Sequence, residues 1–352
     1  MRIRAIALLA FAACGGTDYG PPSTVDVLVH QHIGSHSEMP DFQKAHAAVD
    51  FGGSTVTKAT LIVDLESPCY PFEKWQTDKP PTGQSWPADC DAFDRNFEVT
   101  LDEPAATGGA PAFELARMIT PFGGPLHQEI DVTDLVNAKP GMHDVQVYIA
   151  TWSDAAGQVS GSNGGWFVSA KLALTPGPAP HKVIAALPLF NGAITTQAAM
   201  APIAFDVPDG ASSARLEYRV TGHGGADDAS SDCIGPAEEF CVRTHHVMLD
   251  GVELDPGYKP WRTNCETLCT DATYAFPPAG KTFHYCKENP CGAVDSVKAP
   301  RANWCPGSAS DPKTYDVAAL HTAGHHTFDA IVDGEKDGGT WRVSAVLYLF
   351  AD

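Results

Sequence analysis

The chain is short of positive charge. Its 352 residues hold 23 Lys and Arg against 43 Asp and Glu, a formal net charge of −20. Nonspecific affinity for nucleic acid comes from neutralising phosphates with basic side chains, so this balance excludes a nucleic-acid partner. Apolar runs long enough to cross a bilayer are lacking too: Ala5 to Ala13, behind Arg2 and Arg4, is too short to span one. No long amphipathic helical pattern appears, which removes the material for a helical bundle. With charged residues at only 19%, 32 Gly and 28 Pro, the composition suits short strands and turns. The length exceeds one typical core and fits two domains.

The apolar run has the size of the hydrophobic region of an export signal. It ends Phe11-Ala12-Ala13-Cys14-Gly15, the pattern of a bacterial lipobox in which Cys14 becomes the lipid-bearing first mature residue. Plain secretory cleavage near the same point is the other reading. Both remove residues 1–13 from the fold, and Thr17 to Thr24 then forms a Gly/Pro/Ser-rich tether. The expected address is the cell envelope or the exterior, with membrane contact only through the lipid on Cys14. Export favours disulfides over a zinc site at Cys265 and Cys269. Ten cysteines are present at 14, 69, 90, 233, 241, 265, 269, 286, 291 and 305. Removing Cys14 leaves an odd number, so one is expected to stay unpaired or to pair between molecules.

β-rich runs recur at Val25–Val29, Val56–Leu65, Phe97–Leu101, Val145–Trp152, Trp166–Leu174, Arg215–Gly222, His245–Leu249 and Trp341–Phe350. Asp250-Gly251 between His246–Leu249 and Val252–Leu254 predicts a two-residue hairpin. The last run places Trp341, Val343, Ala345, Leu347 and Leu349 on one face, as in a half-buried strand. Thr175-Pro176-Gly177-Pro178-Ala179-Pro180 admits neither ladder nor helix and marks the boundary. A short repeat spans it: Ile130–Leu135 with Gly141-Met142-His143 echoes Tyr315–Leu320 with Gly324-His325-His326. The expected fold is all-β, two antiparallel eight-stranded jelly-roll sandwiches packed side by side. Residues 1–24 form the signal and tether, 25–178 the first domain and 179–352 the second.

Three stretches couple charges to cysteines: Cys90–Arg95, Glu238–His245 and Pro300–Gly307. Two carboxylates in a cleft can hydrolyse an amide or a glycosidic bond, one activating water and the other tuning or relaying the proton. Arg95 and Arg301 are candidates to hold a carbonyl or sugar oxygen, and Trp152 and Trp304 to face a sugar ring. Surface ion pairing with the tryptophans in the cores is the simpler alternative.

Cys90-Asp91-Ala92-Phe93-Asp94-Arg95 resembles the motif carrying the essential aspartate of the peptide-N-glycosidase F family, bacterial peptide-N4-(N-acetyl-β-glucosaminyl)asparagine amidases. Further similarities follow in order: Ile119-Thr120-Pro121, Glu129–Asp134, Tyr148 with Thr151-Trp152, Ala237 and Glu239 with Cys241, Arg243-Thr244-His245, and Arg301-Ala302 with Trp304–Gly307. They run from about Val56 to the C-terminus. The resemblance implies that Asp94 is the primary catalytic carboxylate and that Glu239 faces it from the second domain through a bridging water. It implies hydrolysis of the amide between Asn and the first GlcNAc of an N-glycan, with no metal or other cofactor; the protein is expected to be a monomer. Arg95 and Arg301 would orient the amide and proximal sugars, with Phe93, Trp152 and Trp304 lining the cleft. It also implies disulfides Cys69–Cys90, Cys233–Cys241 and Cys265–Cys305, leaving one of Cys269, Cys286 and Cys291 unpaired.

Departures from the family are as informative. A family glutamate two residues before the tryptophan is Ala150 here, and Phe93 replaces a tryptophan. The loop from Cys69 to Cys90, with Trp75 and Trp86, is longer, and Cys269 to Ala299 is inserted. Ala150 favours the rival reading, a noncatalytic N-glycan-binding lipoprotein of the same fold. The pairs His30-Gln31-His32, His245-His246 and His325-His326 do not follow the ligand order of copper monooxygenases built on double jelly rolls. His30, His32, His36 and His46 are expected to be solvated strand-edge residues.

Overall fold

A computed structural model of the chain describes residues 19–34, 42–71, 74, 77–105, 109–152, 161–162, 164–225, 232–276, 281–317 and 323–352. The predicted signal and Cys14, His36 and Trp75 lie outside them. The first half supplies β1 (Ser23–Ile33), β2 (Lys44–Asp50), β3 (Val56–Glu66), β4 (Asn96–Leu101), β5 (Phe113–Ile119), β6 (Leu126–Asp131), α1 (Thr133–Ala138), β7 (Met142–Ile149) and β8 (Trp166–Pro176). The second supplies β9 (Lys182–Ile194), β10 (Ile203–Val207), β11 (Ser213–His223), β12 (Thr244–Leu249) and β13 (Val252–Glu253). It continues with β14 (Asp271–Phe276), β15 (Lys281–Cys286), α2 (Val294–Lys298), β16 (Ser308–Ala309), β17 (Lys313–Asp316), β18 (Gly324–Asp333) and β19 (Thr340–Ala351).

Strand order is the same in both halves. β1-β8-β3-β6 faces β5-β4-β7-β2 in the first, and β9-β19-β11-β17 pairs with β13-β12-β18-β10 in the second. Every pairing is antiparallel, and among the described residues each half contributes eight strands to its own two sheets, as a jelly roll requires. The described parts of the echoed segments occupy matching places: Ile130-Asp131 and Tyr315-Asp316 close β6 and β17, and Met142-His143 and Gly324–His326 open β7 and β18, while residues 318–320 lie outside the described residues.

Alternation decides which faces meet. Trp166, Val168, Ala170, Leu172 and Leu174 of β8 are buried in the first core with Phe97, Val99, Val145 and Val147 from the opposing sheet. The Asp250-Gly251 turn has φ of 50° and 74° at its two residues, the double positive φ of the favoured hairpin turn. On β19 the expected apolar face is fully buried, but Val346 and Tyr348 on the other face are buried too. That face joins the first core, so the strand is buried on both sides rather than one.

The seam between the halves is polar. Arg342 donates two hydrogen bonds to Glu98, at 2.8 and 2.7 Å. Arg117 donates two to Glu114 and a third to the Arg342 carbonyl. Arg219 donates to the Glu114 carbonyl. β16 crosses the seam and adds to the edge of β5, pairing Ser308 with Ile119.

Candidate active site

Asp94 and Glu239 sit at matching positions of the two jelly rolls. One lies on the β3–β4 connection and the other on the β11–β12 connection. A disulfide stands beside each: Cys69–Cys90 before Asp94, and Cys233–Cys241 around Glu239. Cys265–Cys305 ends the third loop, and Cys269–Cys286 closes the β14–β15 hairpin. The first three are the pairs the family resemblance implies, and Cys291 is the cysteine left over.

Local bonds fix the Asp94 loop. Asp91, fully buried, accepts hydrogen bonds from Arg95 Nε and Nη2, the latter at 3.0 Å. Thr120 ties the loop from the other side: its hydroxyl accepts from the Arg95 amide at 2.7 Å and donates to the Phe93 carbonyl at 3.0 Å. The Arg95 guanidinium stacks on Phe93 and Trp152, 4.7 and 5.2 Å from their ring centres. Arg95 was expected to reach the substrate. Its fork is instead gripped by Asp91, and it holds up an aromatic platform whose outer member, Trp152, is 41% exposed.

Arg301 links the two carboxylates. Its Nη1 donates to Glu239 Oε1 at 2.6 Å, and Nη2 lies 3.8 Å from Asp94 Oδ2. Nη2 also donates to the carbonyl and hydroxyl oxygens of Ser296, at 2.9 and 3.0 Å. Phe240 and Trp304 pack on the guanidinium, each ring centre 4.5 Å away. Trp304 does not line an open cleft as predicted. It is 1% exposed, because its indole donates to the Gly222 carbonyl at 2.8 Å and its ring also stacks with His223. Backbone bonds between Arg301 and Arg262, and from the Ala302 amide to the Glu239 carbonyl, lock the loop in place.

Burial and Glu239's charge push the Asp94 carboxyl up to about 7, against the opposing pull of Arg301 and Arg95. Burial also raises Glu239, with Arg301 opposing it. Like charges near one arginine favour one shared proton, and Asp94, 18% exposed and at the longer distance, is the better host. Ala150 lines a recess of about 580 Å³ together with Asn96, Glu98, Tyr148 and His223 among others.

The two insertions pack against each other beside the Asp94 loop, whose Asp94 side chain keeps 18% of its surface exposed. Trp86 from the long loop packs with Tyr274 and Tyr285 of the inserted hairpin around Cys69, Cys90 and Ala92. Each histidine pair has its own partners. His245 is buried against the Tyr218 hydroxyl, His246 bridges Glu253 and Asp333, and His326 meets Asp250. His30 stacks on Phe167, His32 meets the Gly164 carbonyl and His46 meets Asp144. Sequence reasoning missed Asp91 and Ser296 as supports. Asp91 was signalled by standing four residues before Arg95, whereas Ser296 had no signal.

A family model described as peptide-N-glycosidase F, C terminal, matches residues 191–348. Among solved structures, peptide-N-glycosidase F from Flavobacterium meningosepticum, described as a glycosylasparaginase, is similar at 17% identity. That likeness covers 94% of this chain and 96% of the other, with a TM-score of 0.68. A peptide-N(4)-(N-acetyl-β-D-glucosaminyl)asparagine amidase structure gives 17% identity over the same shares, with a TM-score of 0.67. PNGF-II gives 19% identity and a TM-score of 0.68 over 94% of this chain. This chain spans only 66% of PNGF-II's length. No curated protein matches the sequence.

Proposed function

We propose, on the premise that the chain has the fold of the peptide-N-glycosidase F family, that it hydrolyses the amide between an Asn side chain and the first GlcNAc of an N-glycan. The observation that carries this reading is Arg301, lodged between Asp94 and Glu239 from the two jelly rolls. In this mechanism Asp94 takes a proton from water as the water adds to the amide carbonyl. It returns that proton to nitrogen as the C–N bond breaks. Glu239, tied to Arg301, keeps its charge and holds the water from the other side. Asp remains on the peptide and a glycosylamine leaves. Trp152 offers its exposed face to a sugar ring, and Arg95 keeps that platform in place.

The disulfides fit an exported protein that meets glycoproteins outside the cytoplasm. Glycan binding without turnover is the competing reading, favoured by Ala150. Two carboxylates sharing a proton near neutral pH have no use in a pure binding protein, which favours hydrolysis. The test is glycan release from a denatured N-glycoprotein by wild type and Asp94→Asn. Loss of roughly 10²–10⁴-fold in the variant, with unchanged circular dichroism, supports the assignment. Wild-type rates in the variant would overturn it, and binding without release by the wild type would favour the competing reading.

A further inference from the structure

We propose that Cys69, Cys90 and Cys291 form a thiol–disulfide exchange site across the seam, in which Cys291 takes over Cys90 and releases Cys69. The hydrolytic mechanism has no use for Cys291, yet its Sγ lies 3.8 Å from Cys90 Sγ. All three sulfurs lie within 4.8 Å of one another. Cys69 and Cys90 belong to the β3–β4 connection, whereas Cys291 comes from the inserted segment of the second half, 201 residues beyond Cys90. That segment is pinned where it meets the disulfide. The Cys291 amide donates to the Phe122 carbonyl at 2.9 Å, and buried Asn289 accepts from the Phe122 amide at 3.0 Å. Gly123, at φ 68°, makes the room: a Cβ there would collide with the sulfurs of both Cys291 and Cys69.

The exchange balances without any oxidant. The Cys291 thiol gives up its proton and its sulfur forms a bond to Cys90 Sγ. The Cys69–Cys90 bond breaks, and Cys69 leaves with the electron pair and takes up a proton. One disulfide and one thiol remain. The sulfurs stand in a triangle, so the Cys291 side chain must swing into line with the bond it attacks. Burial holds the Cys291 thiol up, and the buried Asp91 carboxylate adds to this; Tyr274 and Tyr285 are the other titratable groups packed on the cluster. Exchange is therefore slow at neutral pH and gains about tenfold per pH unit while the thiol stays mostly protonated. Its consequence is mechanical: the tether of Cys90, four residues before Asp94, moves from its own jelly roll to the other.

Disulfide mapping tests this on the full chain. After non-reducing incubation at increasing alkaline pH, acid quench and alkylation, label lost from Cys291 should equal label gained on Cys69, with a Cys90–Cys291 peptide appearing in step. Label that stays on Cys291, with Cys69–Cys90 intact at every pH, would overturn the proposal. In Cys69→Ala, with oxidised glutathione as electron acceptor, a Cys90–Cys291 bridge is expected; alkylation of both residues would contradict it. The wild-type arm stands alone if that variant does not fold.

Discussion

Asp94 is the residue on which chemistry and stability meet. Its carboxyl is raised from 3.8 to about 7, so it binds its proton more tightly folded than unfolded. Between those values the folded state holds the extra proton, and stability falls as pH rises. Asp94→Asn mimics the protonated form, so it should stabilise the protein above about pH 7. The ceiling set by the raised carboxyl is roughly 4 kcal/mol, and the advantage should vanish below about pH 4, as denaturant melts at several pH values would show. Activity has the opposite sign, because the base must be ionised: kcat/KM should rise with unit slope to a limb near pH 7. Arg301→Met removes the nearest charge opposing that rise, so its limb should move to higher pH. A limb that stays put would mean another group controls it.

The elements explain how much of this was legible beforehand. Strands β3, β8, β11 and β19 announced themselves by alternation, and the Asp250-Gly251 turn by its glycine. The Asp94 and Glu239 loops were marked by charges beside cysteines. Burial of Trp304 was not readable, since an aromatic beside an arginine reads alike whether it faces solvent or supports the guanidinium. Nor was the role of α2, because inserted Ser296 meets Arg301 only through the tertiary fold. Ser296→Ala should cut turnover by roughly tenfold to a hundredfold, the loss of one charged hydrogen bond with the carbonyl contact kept. It should also move the acidic limb, and Ser296→Thr should restore both. A lower rate with an unmoved limb would make Ser296 merely structural.

At the scale of the molecule, two jelly rolls of one topology place equivalent loops face to face, and buried ion pairs fix that register. Glu114→Gln would leave Arg117 and Arg219 around a neutral amide, and should cost about 3–5 kcal/mol of stability. Global melts alongside Asp94 activity would show whether the halves part first. The fold alone does not deliver hydrolysis, because the family glutamate is Ala150 here. The most direct test incubates an N-glycopeptide with the protein in heavy-oxygen water and reads both products by mass spectrometry. Hydrolysis through Asp94 should give free glycan and a peptide whose Asn has become Asp carrying one heavy oxygen. Glycan released with a GlcNAc left on Asn, or an intact glycopeptide recovered bound to the protein, would contradict it.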